Sequence, residues 1–314
     1  GWLPSTELII LDEIHKMKEW KNYLKGLYDT KPKHQKILVT GSARLEIFKE
    51  VGDSLAGRYY LHRLFPLSPA ECSQVGAPFT LARFLERGGF PEPFLEKALV
   101  EANRWRKQYI DSLLHIDVLD FENIQNVRAI RLIFELLRRR VGSPVSYSSL
   151  ARDAEISPHT VKKYIRVLEA LYIVFLIPPF SKNIGRSLLK EPKVYFFDQG
   201  LVEGDEGACF ENLVATSLLK HVHAQVDQLG EDAHLRYLRT KDHAEVDFAL
   251  VKKGKLTQVI EAKLKDKEIS PHLRMFHEKY QLPAIQLVKN LRQERMDQGI
   301  EVRKALGFLS SLLL

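Results

Sequence analysis

Three carboxylates and one lysine in the last third of the sequence are residue types that could form a metal-dependent site. Glu261 and Lys263 alternate in the apolar stretch VIEAKL, which places them on the same face of a predicted strand. Asp247 precedes them in the strand-like segment AEVDFALV, and Glu211 lies in the predicted helix ACFENLVATSLLKHV. Pairing of adjacent strands would bring these groups together. Three carboxylates form the cage of hard oxygen atoms that Mg²⁺ prefers.

A metal held by Glu211, Asp247 and Glu261 would activate a water molecule, and Lys263 would position that nucleophile. The alternative is that Glu261 and Lys263 are an exposed salt-bridged pair, which is common on strands. The apolar residues on both sides of the pair favour a half-buried strand in a core instead.

A second pair of carboxylates, Asp12 and Glu13, ends the apolar run ELIILD near the start of the chain. In a nucleotide hydrolase Asp12 would hold Mg²⁺ and Glu13 would polarise the water that attacks the γ-phosphate. The alternative is an acidic helix start, where carboxylates suit the positive end of the helix dipole.

The elements around Asp12 and Glu13 predict a βαβ unit. A helical apolar pattern follows ELIILD, and KILVTGSA forms a second buried strand. Ligands of such units bind beyond the carboxyl ends of the strands, where Asp12, Glu13, Thr40 and Ser42 all lie. Thr40 or Ser42 could then sense the phosphate by a hydrogen bond.

Three consecutive stretches resemble a prokaryotic AAA-type ATPase family, in which a P-loop domain precedes a C-terminal domain of unknown function. They are LVTGSARLEIF, SLAGRYYLHRLFPLSPAE and FLERGGFPEPFL. The resemblance implies that Asp12 and Glu13 are the Walker B pair, Ser42 the sensor and Arg58 the arginine finger. It also implies ATP and Mg²⁺ as ligands and a homo-oligomer as one form of assembly. A surface arginine after a turn is the alternative for Arg58.

The phosphate-binding loop of that family, G-x-x-x-x-G-K-[ST], occurs nowhere in the sequence. Its backbone N–H groups and lysine supply much of the affinity for phosphate. We therefore expect that this chain does not hydrolyse ATP by itself and that a parent protein with an upstream loop does.

The middle of the chain predicts a helix-turn-helix with a wing. In SPVSYSSLARDAEISPHTVKKYIRVLEALYIVFLIPPF, Ser157 can cap the second helix, and LYIVFLIPPF suits a β-wing. His159, Lys162, Lys163 and Arg166 would lie on the outer face, where they could contact DNA phosphates or base edges. Residues 143–190 carry seven Lys and Arg against three Asp and Glu. Winged helices also bind proteins, so both partners stay open.

The order helix-Glu, Asp, Glu-x-Lys resembles the PD-(D/E)XK restriction-endonuclease-like fold, with Val246 in place of the nominal proline. The resemblance implies a Mg²⁺-dependent nuclease site, although such folds also occur as inactive DNA-binding or scaffolding modules. Enzymatic activity of this chain therefore stays an open question.

The bulk composition allows these interpretations without deciding among them. The 314 residues suit several domains, and the net charge of +7 permits DNA binding without requiring it. Cys72 and Cys209 are far apart and predict reduced thiols of a cytoplasmic protein. No apolar run is long enough for a membrane span, and no secretory signal is visible.

Together these patterns predict an α/β chain of four parts. They are a partial AAA-type domain (1–80), a helical connector (81–142), a winged helix (143–182) and an α/β/α nuclease-like domain (183–314). The predicted function is that of a fragment of an ATP-binding protein that acts on DNA. The alternative is a non-enzymatic, nucleotide-switched module that binds proteins through a degenerate nuclease fold.

Overall fold

The computed structural model describes residues 3, 5–41, 55, 57–76, 79–114, 126–181 and 191–314. Two compact units divide the chain. The first contains residues 1–61 with 170–172, and the second contains residues 62–169 with 173–314.

The first unit contains the predicted βαβ arrangement. Strand β1 (Leu8–Leu11) pairs in parallel with β2 (Lys36–Val39), and helix α1 (Trp20–Thr30) connects them after a 3₁₀ turn at Ile14–Lys16. Ile9 of β1 and Leu24 of α1 are buried, whereas Leu8 and Ile10 of β1 and Leu38 of β2 are exposed. The expectation of two buried strands is therefore wrong for these positions, since each strand has an exposed face. Because β1 and β2 are parallel, their carboxyl ends lie side by side.

The second unit begins with four helices, the first two of which have side-chain caps. The Ser68 hydroxyl and the Glu71 carboxylate form a capping box at the start of the first of them, and the Thr80 hydroxyl caps the next. The helices are α2 (Pro69–Gln74), α3 (Leu81–Arg87), α4 (Pro91–Leu95) and α5 (Leu99–Ser112).

A buried carboxylate fixes the turn between α3 and α4. Gly89 N–H donates to Asp198 Oδ1 at 2.7 Å, although the two residues are 109 positions apart. Burial raises the pKa of Asp198 to about 6, while the N–H groups of Gly89 and Gly200 and the charge of Arg106 oppose that rise. Gly88 has a φ of +76°, and a Cβ atom there would lie 2.0 Å from Asp198 Oδ1.

Three helices and a β-hairpin follow. Ile130, Ile133, Phe134 and Leu137 line the buried face of the first helix, as their spacing predicts. Thr160 N–H donates to the Ser157 hydroxyl at 3.0 Å, which is the predicted cap. The elements are α6 (Val127–Arg138), α7 (Tyr147–Asp153), α8 (Pro158–Ala170), β3 (Val174–Ile177) and β4 (Lys193–Phe196).

Strands β3 and β4 are antiparallel, with Val174 opposite Phe196 and Ile177 opposite Lys193. The expected boundary between residues 182 and 183 therefore lies between two paired strands. A 3₁₀ turn at Gln199–Leu201 ends this part of the chain.

The C-terminal part contains a six-stranded mixed sheet in the order β5-β6-β7-β8-β10-β9. Strands β5, β6 and β7 are an antiparallel meander, β8 is parallel to β7, β10 is parallel to β8, and β9 is antiparallel to β10. The strands are β5 (Ala233–Arg239), β6 (Glu245–Lys252), β7 (Lys255–Lys265), β8 (Ala284–Asn290), β9 (Arg295–Asp297) and β10 (Ile300–Lys304).

Helices pack against this sheet and supply its core. Helix α9 (Glu206–Leu229) contacts β5 and β7, α10 (Pro271–Tyr280) contacts β6, β7 and β8, and α11 (Ala305–Ser310) contacts β8 and β10. The α/β fold class of the prediction is confirmed. No helix in the described ranges is both long enough and apolar enough to cross a membrane.

We expect Gly88→Ala to lower the free energy of unfolding by at least about 3 kcal/mol, because it adds both backbone strain and a clash with Asp198. Gly230→Ala is the matched control, since Gly230 also has a positive φ but has open space beside it. We expect that control to cost about 1 kcal/mol. Equal losses for the two variants in urea unfolding would contradict the close approach.

A second expectation concerns Glu169 on α8. Burial raises the pKa of Glu169 to about 7, although the Leu176 N–H and Arg166 oppose that rise. The folded chain then holds this proton more tightly than the unfolded chain, so the contribution of Glu169 to the free energy of unfolding is highest below pH 4.5 and falls as the pH rises to about 7.

Glu169→Gln should therefore raise the melting temperature at pH 8 and leave it unchanged at pH 4.5. The corresponding increase in the free energy of unfolding at pH 8 is at most about 3 kcal/mol. Glu155→Gln, at an exposed position, serves as the control. A gain of equal size at both pH values would show that the carboxylate charge is not its cause.

Candidate functional site: a carboxylate cluster with a buried lysine

The ends of β1 and β2 bring two predicted site residues together. The Thr40 hydroxyl donates to Asp12 Oδ1, and Thr40 N–H donates to the Leu11 carbonyl at 3.0 Å. Asp12 is exposed and so can reach a ligand. Glu13 follows in a left-handed conformation with φ of 49°, and its carboxylate lies 3.5 Å from Lys16 Nζ.

The remaining predicted residues of the nucleotide site are less closely associated. Arg58 Nε donates to Asp29 Oδ1 at 3.0 Å, so this guanidinium is held by a carboxylate of α1. Ser42 lies outside the described residues. The roles of Glu13, Ser42 and Arg58 therefore stay predictions.

The four residues predicted for the C-terminal site do converge. Helix α9 supplies Glu211, β6 supplies Asp247, and β7 supplies Glu261 and Lys263. Ala262 N–H donates to Asp247 Oδ2 at 3.0 Å, and Asp247 N–H lies 3.4 Å from Glu261 Oε2. Lys263 Nζ donates to Glu261 Oε1 at 2.7 Å.

A lysine that the sequence analysis did not select lies among these carboxylates. Lys193 of β4 is only 1% exposed, and its ammonium forms ion pairs with three acids. Its Nζ is 2.8 Å from Glu245 Oε1, 3.4 Å from Glu211 Oε1 and 3.4 Å from Asp247 Oδ1. Glu245 is a further cluster member that was not predicted.

Tyr195 also enters the cluster from β4. Residues 193 and 195 lie on the same face of the strand, because alternate side chains of a strand point the same way. The Tyr195 hydroxyl donates to Glu211 Oε1 at 2.7 Å, and its side chain is fully buried. Glu211 thus accepts hydrogen bonds from both residues. We use "the carboxylate cluster" for Lys193, Tyr195, Glu211, Glu245, Asp247, Glu261 and Lys263.

The electrostatics of the carboxylate cluster follow from burial and like charge. Burial and the nearby Asp247 raise the pKa of both Glu211 and Glu261. Burial alone would lower the pKa of Lys193, but Glu211, Asp247 and Glu245 raise it above the ordinary range of a lysine. Lys193 is therefore a permanent cation at neutral pH.

The carboxylate cluster does not fit a divalent metal in this arrangement. No group of three or more His, Cys, Asp and Glu side chains in the described ranges is placed to hold one. The reason is visible in the distances, because the Lys193 ammonium lies at hydrogen-bonding range from Glu211, Glu245 and Asp247. A metal there would face a positive charge.

A sequence signal for Lys193 exists but is weak. The stretch PKVYFF has one charged residue in an otherwise apolar strand, which suggests a buried cation with acidic partners. Nothing in the sequence says which acids those are. Tyr195 carries no signal beyond its place two residues later.

The predicted DNA-binding side chains lie on one helix. His159, Lys162 and Arg166 of α8 are exposed, and Lys163 is partly exposed. The opposite face of α8 is buried through Val161, Tyr164, Ile165, Val167 and Leu168.

Three family models match consecutive parts of the chain. Residues 3–73 match an AAA domain, residues 79–204 match a domain of unknown function (DUF8612), and residues 206–306 match another domain of unknown function (DUF4143). The N-terminal part is similar to an AAA domain. The expected combination of an AAA-like segment with a C-terminal domain of unknown function is thus confirmed, and the last two matches meet at the start of α9.

Curated relatives are about one quarter identical to the chain over the aligned regions. An uncharacterized protein of Mycobacterium tuberculosis is 26% identical over 254 residues, which are 79% of this chain and 57% of that protein. One of Methanocaldococcus jannaschii is 25% identical over 282 residues, covering 81% of this chain and 60% of the relative. The chain thus spans less than two thirds of the length of these relatives. No solved structure gives a significant match.

We expect Tyr195→Phe to lower the free energy of unfolding by about 1–2 kcal/mol, because Glu211 loses a buried donor. Tyr280→Phe, at an exposed position, removes a hydroxyl without that effect. Equal unfolding midpoints for the Tyr195 variant and the wild-type chain would show that this hydrogen bond contributes nothing to stability.

Proposed function

We propose that the chain is part of an AAA-type ATPase that binds DNA through the exposed face of α8. The exposure of His159, Lys162 and Arg166 on one side of that helix is the observation that carries the proposal. Cations on an exposed helix face can contact the phosphate backbone and enter the major groove.

The arrangement around α8 supports this proposal. Helices α6, α7 and α8 followed by the β3–β4 hairpin have the order of a winged helix-turn-helix, in which the last helix is the recognition helix. The apolar face of α8 is buried, so its basic face is the one that is exposed and can contact a partner. Residues 143–190 carry a net charge of +4.

The nucleotide function belongs to the N-terminal part. The match of residues 3–73 to an AAA domain and the contact between Asp12 and Thr40 at the strand ends support a role for Asp12 in holding Mg²⁺ with ATP. Glu13 would act on the attacking water. ATP binding by the complete protein would then control how α8 engages DNA.

The order of the elements around the C-terminal sheet supports the proposed PD-(D/E)XK-like fold. A helix with Glu211, a strand with Asp247 and a strand with Glu261 and Lys263 meet at one place, as in that fold. The proposal does not include cleavage, because the Lys193 ammonium pairs with Glu211 and Asp247, two of the three acids that would hold the metal.

That same observation favours the second candidate, a non-enzymatic interaction module with a degenerate nuclease fold. In that case the basic face of α8 would bind an acidic protein instead of DNA. Only the first candidate predicts an affinity for DNA that falls as the salt concentration rises, because phosphate contacts release counterions.

The test measures fluorescence anisotropy of a labelled DNA duplex between low and high salt. We expect Lys162→Ala/Arg166→Ala to weaken binding and to reduce the slope of log affinity against log salt by about 2. Lys107→Ala/Lys255→Ala removes the same charge from exposed positions on α5 and β7 and should leave the slope unchanged.

Equal slopes for the two double variants would show that the basic face of α8 is not part of the DNA interface. If the wild-type chain shows no salt-dependent binding of the DNA duplex, the result favours the protein-binding alternative.

A further inference from the structure

We propose that Lys193 is a built-in cation that replaces the divalent metal ion in the carboxylate cluster. In this arrangement the C-terminal domain folds without a metal and does not bind one. The proposal does not depend on whether α8 binds DNA.

The Lys193 ammonium is surrounded by carboxylate oxygen atoms at ion-pair distances. Lys193 Nζ has oxygen atoms of Glu245, Glu211 and Asp247 at 2.8, 3.4 and 3.4 Å. These are the spacings of ion pairs, whereas Mg²⁺ needs oxygen ligands at about 2.0–2.1 Å. Two of the three acids, Glu211 and Asp247, are predicted metal ligands, so the ammonium and a metal would compete for the same oxygens.

The backbone of Lys193 is held by pairing on both sides. Its backbone pairs with Ile177 of β3 on one side and forms a bridge with Pro144 on the other. Val145 N–H donates to the Pro192 carbonyl at 2.8 Å, next to Lys193 in the chain. With 1% of its surface exposed, the lysine is almost completely excluded from solvent.

Lys193 also balances the charge of the buried carboxylates. Buried carboxylates without a compensating cation are strongly destabilising, and a metal or a lysine can supply the missing charge. Lys193 also lies 5.6 Å from the centre of the Tyr237 ring, which favours a cation there. Lys263 pairs with Glu261, so each of the four acids has a cation within ion-pair distance.

Lys193 and Lys263 differ in a way that separates their roles. Lys263 is 38% exposed and comes from the same strand as its partner Glu261, whereas Lys193 comes from the β3–β4 hairpin. Of these two lysines, Lys193 is the one that contacts acids from two elements, α9 and β6. Its removal therefore leaves two of the predicted metal ligands, Glu211 and Asp247, without a paired cation, while Glu261 keeps Lys263.

The experiment measures Mn²⁺ binding by electron paramagnetic resonance of the free ion. We expect no saturable site in the wild-type chain and a saturable site in Lys193→Ala, since the carboxylates then lack a cation. The affinity of that site should exceed any residual, non-saturable Mn²⁺ binding by the wild-type chain at least about tenfold. The melting temperature of Lys193→Ala should fall and then recover when Mn²⁺ is added.

The matched control is Lys193→Ala/Asp247→Asn, which removes one predicted ligand and should lose the new site. A charge-balanced variant, Lys193→Met/Glu245→Gln, keeps the test informative if Lys193→Ala does not fold. We expect this variant also to gain the Mn²⁺ site, because Glu211, Asp247 and Glu261 stay intact.

Two results would overturn the proposal. Saturable Mn²⁺ binding by the wild-type chain that Asp247→Asn abolishes would show that Lys193 moves aside for a metal. Absence of a site in the folded, charge-balanced variant would show that the carboxylates cannot hold a metal even without Lys193.

Discussion

The structure of the second unit depends on the burial of one ammonium group among carboxylates from separate elements. Lys193 reaches acids on α9 and β6 only because β4 is held by β3 and by the chain before α7. Removing one member of a buried ion pair costs several kcal/mol, so the hairpin and the sheet are fixed to each other at this point. Tyr195 adds a second contact from the same strand. The β3–β4 hairpin and the six-stranded sheet accordingly belong to one compact unit.

Much of the local structure could be predicted, because it follows from periodicity and from residues close in sequence. The alternation in VIEAKL placed Glu261 and Lys263 on one face, and the short connection between β6 and β7 brought Asp247 beside them. The parallel βαβ arrangement likewise brought Asp12 to Thr40. In each case the geometry of adjacent strands determines the contact, and the order of the elements contains that information.

The contacts that the sequence did not reveal join residues that are distant along the chain. Lys193 and Asp247 are 54 residues apart, and Gly89 and Asp198 are 109 residues apart. Such contacts depend on how complete elements pack, which a local pattern does not encode. The sequence pattern predicted that Glu211, Asp247 and Glu261 lie close together. The cation among them, Lys193, comes from β4, which the expected domain limits had separated from β3.

The position of Lys193 also affects how fragments of such proteins behave. Residues 206–306 match one family model, and a fragment cut at that limit would contain Glu211, Glu245, Asp247 and Glu261 but not the lysine that neutralises them. Three of these acids, Glu211, Glu245 and Asp247, would lack their ammonium partner in the fragment and could pair with cations from the buffer. A metal dependence measured on that fragment would thus be a property of the cut and not of the intact chain.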